Sequence, residues 1–374
     1  MKPLKVAFII AHVSKSLQLE WMIDSLAKKD IQLSFILLGE TETEFHRFLK
    51  SRNFEVIAIP LAGRLSMISA FFVVRSVLSR MQPDAVHTHL YHGNIVGLSA
   101  AWMLGIKKRI YTRHHGTIHH DNFPKAVFID RLVNKLATHI ILPAKSLYEI
   151  VVEREGARPD KIRYVPHGFN LDYFSSQNNE ETDRLKKKYN LAKSYPVVGV
   201  IARHTEWKGV QYVIPAFIEI LSKFPEAHLV LANANGDYHQ EILKQLSLIP
   251  KDKYTLIGFE SETASLYHCF TIFVHLPVDS SCEAFGQTYV EALASGVPSV
   301  FTLSGIANEF IQDGVNALVV KYRDSQSAEH AMTRLLNDNG LATELKRQGA
   351  ISVRKLFAID EMTRRLEKIY TTGE

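Results

Sequence analysis

Cysteine is nearly missing from this 374-residue chain, which holds only Cys269 and Cys282. That excludes a disulfide framework and makes a reduced, cytoplasmic compartment the expectation. Long apolar runs are scarce too. The opening MKPLKVAFIIAHV is too short to span a membrane, and no small-residue cleavage site follows it. Residues 85–106 carry no Asp, Glu, Lys or Arg and approach membrane length. They nevertheless hold His87, Thr88, His89, His92 and Asn94, and they open as AVHTHL after Pro83-Asp84. The reading is a buried strand and helix. Neither an RNA-binding sheet motif nor a zinc-finger spacing occurs, so nucleic acid is not an expected partner. No internal repeat or low-complexity tract stands out.

What is present fits an ordinary folded protein of two domains, with 46% hydrophobic and 22% charged residues. The net charge of +5 is unevenly spread. Residues 1–170 hold 23 Lys and Arg against 14 Asp and Glu, a surplus of +9, and the remainder sums to −4. The basic half suits an anionic partner such as a phospholipid surface or a pyrophosphate-linked acceptor; a merely solvated basic surface is the plainer reading. Strand-like runs alternate with helical patterns: KVAFIIAHV, IQLSFILLG, EVIAIPL, DAVHTHL, RIYTRHH and HIILPA. The series restarts at PVVGVIARH and continues through AHLVLAN, YTLIGF, TIFVHL and PSVFT. Such alternation predicts two α/β halves with parallel sheets. The seam is expected in the polar stretch 172–194, read as a linker with a short helix. SMISAFFVVRSVLSRM reads as an ordinary helix of the first sheet, with a membrane-contact helix rimmed by Arg75 and Arg80 as the other reading.

EAFGQTYVE, residues 283–291, places two carboxylates eight residues apart around a glycine. Gly286 permits a turn, Gln287 or Thr288 begins a helix, and Gly296 and Pro298 stop it. A turn and a helix N-terminus therefore follow TIFVHL, at a strand end where open α/β sheets bind ligands. A helix N-terminus suits phosphate, whereas a carboxylate suits hydroxyls. Glu283 and Glu291 are thus candidates for holding a sugar or ribose; the alternative is one helix cap and one solvated side chain.

EAFGQTYVEALASGVPSV resembles the Glu-x7-Glu motif of retaining glycosyltransferases of family 4 (glycosyl transferases group 1), with Ala284 in place of the usual glycine. The resemblance implies the GT-B fold, two Rossmann-like parallel-sheet domains facing a central cleft. Residues 1–172 would form the acceptor-side domain, with a C-terminal helix over 358–371 packing back on it, and 190–357 the nucleotide-sugar donor domain. IARHTEWKG is similar to the segment whose Arg and Lys clamp the donor diphosphate, which assigns Arg203 and Lys208. LIGFES resembles the loop against the base, giving Gly258 and Phe259. SGIANEF matches the loop contributing Glu309. Ala284, Phe285, Gly286 and Gln287 complete the donor side, and Glu291 would hold the ribose. YTRHHG resembles the segment whose His before a Gly faces the donor sugar, which assigns His115. Glu283, His115, Arg203 and Lys208 are then the expected catalytic group.

The usual Gly-Gly after the first strand is replaced by HVSKS, so Ser14 and Lys15 are candidates for the acceptor side, with His119 and His120. No two aspartates are separated by one residue, so the Asp-x-Asp metal clamp of the other large transferase class is absent. The expectation is transfer from a UDP- or GDP-sugar to a glycan or lipid-linked acceptor, without cofactor or metal, in cell-surface polysaccharide or lipopolysaccharide synthesis. The site would be cytoplasmic or peripheral on the inner face of the membrane. Rival readings are a GT-B sugar-nucleotide epimerase, a non-catalytic nucleotide-sugar binder, and a metal-dependent hydrolase using His87, His89 and His92.

Overall fold

The structure is a computed structural model that describes residues 3–373, apart from the side chains of residues 64 and 65. The chain divides into two units, one running through Phe169 and resuming at Ile359, the other Asn170–Ala358. The first is built on β1 (Leu4–Ala11), β2 (Ile31–Leu38), β3 (Glu55–Ile59), β4 (Ala85–His89), β5 (Lys108–Thr112), β6 (His139–Leu142) and β7 (Ile162–Tyr164). These strands are all parallel, in the order β3-β2-β1-β4-β5-β6-β7. Parallel neighbours need crossover helices, which cover both faces of the sheet. Alternate residues therefore enter two cores. Phe8, Ile10, Leu33 and Phe35 pack with Met22 and Ile23 of the helix Leu17–Leu26. Ala7, Ile9 and Ile36 pack with Val74 and Leu78 of the helix Arg64–Met81 and with Val96 and Ala100 of Tyr91–Met103. Residues 85–106 are thus β4 and a helix, as expected.

The helix Ile359–Thr371 belongs to this first unit. Leu366, Ile369 and Tyr370 join the core around Phe8. Ser25 bonds Thr363 at 2.9 Å, Lys29 pairs with Glu367 at 2.6 Å, and Ile359 N–H donates to the Phe169 carbonyl at 3.1 Å. Tyr370 Oη reaches His87 Nδ1 at 2.6 Å beneath the sheet.

The second unit holds β8 (Val197–Ile201), β9 (His228–Ala232), β10 (Tyr254–Ile257), β11 (Ile272–His275), β12 (Ser299–Phe301) and β13 (Leu318–Val319), again all parallel, in the order β10-β9-β8-β11-β12-β13. Val198, Val200, Leu229 and Ile272 pack against Val213, Ile214 and Phe217 of the helix Val210–Lys223. The polar stretch 172–194 is more ordered than a linker. It takes in the end of one helix, Leu171–Ser175, and all of a second, Asn179–Lys188, which Asn178 caps and whose Leu185 is fully buried. In each sheet the order reverses beside the first strand, between β1 and β4 and between β8 and β11. Loops leaving strand ends at such reversals form ligand crevices.

Candidate active site

In the second unit the segments after β8 and β11 meet. β8 leads into a short turn, Glu206–Lys208, closed by Gly209 at φ 71°. A Cβ at Gly209 would stand 1.7 Å from the Leu276 carbonyl oxygen, so only glycine lets the two segments touch. β11 leads through an ordered loop, where Asp279 Oδ1 accepts from the N–H groups of Ser281 and Cys282, each at 2.8 Å. The chain turns at Gly286 (φ 87°) into the helix Gln287–Ala294, as the turn-and-stop pattern predicts. A third loop locks the turn. Glu283 N–H donates to Ser304 Oγ at 3.1 Å, and Ile306 N–H donates to the Phe285 carbonyl at 2.9 Å.

Glu283 is only 6% exposed. Its Oε1 accepts from Lys208 Nζ at 2.5 Å and lies 3.1 Å from Nε2 of His275, the last residue of β11. Burial by itself would raise the carboxyl; Lys208 and then His275 outweigh it and hold it at about 2. Glu291 behaves oppositely. It is half-buried one turn into the helix, and desolvation pushes it up to about 7 against the Tyr267 hydroxyl, which donates to Oε2 at 2.9 Å, and against Lys208. The motif's two carboxylates thus differ in charge at neutral pH: Glu283 is ionised, and Glu291 titrates.

The other donor-side candidates are spread over the same strand ends. Arg203 is exposed just past β8. Gly258 and Phe259 follow β10, with the Phe259 ring 69% exposed. Ala284 is half-buried and Gln287 exposed, while Glu309 lies exposed on the helix Ala307–Phe310. Phe285 turns its ring into the core against Phe357 at 5.8 Å, so its side chain is committed to packing.

In the first unit, Ser14 and Lys15 follow β1. Lys15 pairs with Glu44 at 3.2 Å, and Ser14 lines a cavity of about 190 Å³ with His12, Glu40 and Thr43. His114 and His115 take different partners. His114 Nε2 meets His89 Nδ1 at 3.0 Å, and its ring stacks on His167. His115 Nε2 lies 3.3 Å from Asp130 Oδ2, which His119 Nδ1 approaches at 2.6 Å; His120 Nε2 is 3.2 Å from Glu155. Desolvation, then the Arg113 charge, lowers His115 to about 3 despite Asp130, so its ring is neutral at working pH.

The set His87, His89 and His92 does not converge on one point, which removes the geometric basis of the hydrolase reading. His87 is bonded to Tyr370 and Thr112, His89 to His114, and the His92 ring sits edge-on to His12. Sequence reasoning missed His275, Tyr267 and Ser304, whose roles depend on contacts to Glu283 and Glu291 from 8, 24 and 21 residues away. It missed Asp130 too, although a lone acid on the buried stripe Val127, Val133, Asn134 was a readable signal.

Two Rossmann-like parallel-sheet units, with an acidic turn and a lysine joined at the second sheet's reversal, define a GT-B glycosyltransferase architecture. The chain belongs to the glycosyltransferases: the family described as glycosyl transferases group 1 matches residues 181–351, and Glycosyltransferase Family 4 matches residues 22–173. Among curated relatives, the capsular polysaccharide biosynthesis glycosyltransferase CapM of Staphylococcus aureus is 24% identical, over 100% of this chain and 98% of its own. The alpha-monoglucosyldiacylglycerol synthase of Acholeplasma laidlawii is 25% identical, over 80% of this chain and 78% of its own. Among solved structures, Anabaena HepE in complex with UDP and glucose has the same fold, with a TM-score of 0.84 at 18% identity, covering 99% of this chain and 100% of that one.

Proposed function

We propose that this glycosyltransferase moves a sugar from a UDP-sugar, with retention at the anomeric carbon, to a glycan or lipid-linked acceptor in cell-surface polysaccharide synthesis. The observation that carries the reading is the buried Glu283, whose Oε1 is shared by Lys208 and His275. On this reading Oε2 receives the sugar hydroxyls, and the Lys208 ammonium meets the leaving diphosphate. The uracil base is favoured by HepE, solved with UDP and with UDP-glucose, and the polysaccharide acceptor by CapM.

Lys208 and Arg203 neutralise the diphosphate as the anomeric C–O bond breaks, the role that a divalent metal takes in other transferases. The acceptor hydroxyl attacks on the same face. Its proton passes to the departing phosphate oxygen, so no enzyme nucleophile is needed. His115, neutral, hydrogen-bonds the sugar, and Glu291 takes the ribose.

The test is calorimetric titration with UDP, GDP and ADP, with and without added Mg²⁺. UDP is expected to bind alone, and Glu291→Ala to weaken it about tenfold, or about 1.4 kcal/mol. Binding of no nucleotide would sink the proposal. Acceptor-free conversion of UDP-GlcNAc to its C2 epimer would select the epimerase reading instead.

The helix Arg64–Met81 exposes Ile68, Phe72 and Val73 beside the exposed Arg75 and Arg80. An apolar strip with a cationic rim suits peripheral contact with an anionic bilayer. Co-sedimentation with vesicles containing phosphatidylglycerol is expected to fall several-fold in Phe72→Ser. Equal sedimentation of the variant and the wild type removes this contact.

A further inference from the structure

Around Asp130, in the first unit, lies a polar cluster that the transfer chemistry does not use up. The Oδ2 atom of Asp130, Nε2 of His115 and Nδ1 of His119 all lie within 4.8 Å of one another. The two imidazole rings are 3.8 Å apart between centroids. Asp130 is buried, and the two histidines keep part of their surface in solvent.

The surrounding charges favour a cation. Arg113 grips Glu155 through two hydrogen bonds, at 2.6 and 3.1 Å, and this buried pair is neutral as a unit. Arg113 also approaches Asp130 Oδ1 at 3.6 Å, so one guanidinium faces two carboxylates. The cluster is one positive charge short. Its remaining members are imidazoles, including His120 beside Glu155.

We propose that His115, His119 and Asp130 form a binding site for a divalent cation of the zinc type. Two imidazoles and one carboxylate suit a borderline metal, with a fourth position left open. Ligand bonds of about 2.0–2.2 Å set tetrahedral donor atoms about 3.3–3.6 Å apart. The His115–Asp130 separation of 3.3 Å already meets this, and His119, at 2.6 Å, retreats by roughly 1 Å or less. Occupancy holds Nε2 of His115 on the ion in place of its 3.3 Å contact with Asp130 and leaves Nδ1 as the ring nitrogen for a sugar hydroxyl. Resting on the role proposed above for His115, the site is a point at which metal availability would tune transfer by fixing the orientation of that ring.

The test needs no substrate. Chelator-treated full-length protein is titrated with Zn²⁺ by calorimetry, and with Co²⁺ while its visible ligand-field absorption is followed. Wild type is expected to show one site, with affinity at least about thirtyfold weaker in His119→Ala and a reduced cobalt band. His330→Ala, at an exposed histidine of the second unit, should titrate as wild type. Circular dichroism checks that each variant is folded, and His119→Gln replaces His119→Ala if that protein is not. No zinc uptake by wild type, or identical titrations for wild type and a folded His119 variant, overturns the proposal.

Discussion

Replacing Glu283 by glutamine is expected to lower the rate of UDP release from the bound nucleotide-sugar by about 10²–10³-fold, the scale of losing one preorganised electrostatic partner. The amide matches the carboxylate in size, so the packing of the turn against Ser304 and Gly305 survives. What disappears is the negative charge that Lys208 and His275 share. Sugar hydroxyls lose a charged acceptor, which accounts for about 1.5–3 kcal/mol. Lys208, freed from its carboxylate, turns its full charge to the diphosphate, so UDP affinity should hold or rise while turnover collapses. That opposite movement separates a catalytic Glu283 from a structural one. Breaking a buried ion pair can also destabilise the fold by about 3–5 kcal/mol, so a thermal melt accompanies the kinetics. His275→Gln keeps the Lys208 pair and should lose only about tenfold, as one hydrogen bond of about 1.4 kcal/mol would. Turnover of Glu283→Gln within threefold of wild type would end the assignment.

The second large effect is acid sensitivity of the first unit. His87 and His89 are buried, His114 half-buried, and His167 is 5% exposed. Desolvation comes first among the causes in each, and it lowers His87 and His167 to about 3, His114 to about 4, and His89 well below the usual value. In the unfolded chain these rings titrate near pH 6.5, roughly. The folded state therefore binds fewer protons between about pH 3 and 6.5, and the histidine contribution is complete above about 6.5 and is lost as pH falls. His87, His167 and His114 each remove about 2 kcal/mol between pH 7 and pH 5, and His89 acts in the same direction, so together they reach the scale of a domain's stability of about 5–15 kcal/mol. Carboxylates held low, such as Glu283, act only below about pH 4.5. Glu291, raised to about 7, takes up its proton in the folded state across this window and offsets one histidine, so the net trend is still set by the histidines. Urea unfolding across that window should show the midpoint falling steeply, with several protons taken up per molecule. A flat midpoint down to pH 5 would refute the account, and His114→Gln should reduce the proton uptake by about one.

The sequence yielded the sheets because parallel strands, buried on both faces, leave unbroken apolar runs. Eleven strands were legible in this way. β7 and β13 escaped, since three and two residues at a sheet edge carry no period to read. In the stretch 172–194 the short helix was legible, but a polar composition hid the anchors: the two helices bury Leu171, Phe174, Thr182 and Leu185. At the site, Glu283, Gly286 and Glu291 were legible because they stand in one local motif that fixes turn, helix start and spacing, whereas Lys208 was singled out from the separate segment IARHTEWKG by its resemblance. Asp130 and His275 were not, because each acts across a distance in sequence, from a helix to a loop or from a strand end to the turn after it. The histidine spacing at 87, 89 and 92 pointed the wrong way for a simple reason. Alternation along β4 sends His87 and His89 to one face of the sheet, where His87 bonds Tyr370 and Thr112 and His89 bonds His114 through Nδ1, while His92 belongs to the helix beyond.

The return of the helix Ile359–Thr371 has a consequence for biosynthesis. A ribosome delivers this chain in order, and the whole of Asn170–Ala358 must leave the exit tunnel before that helix does. Until then the sheet face around Phe8 and His87 lacks Leu366, Ile369 and Tyr370, and the apolar floor of the first unit stands open to solvent. The second unit is contiguous and can complete its fold before the first, since only the first waits for the last segment of the chain.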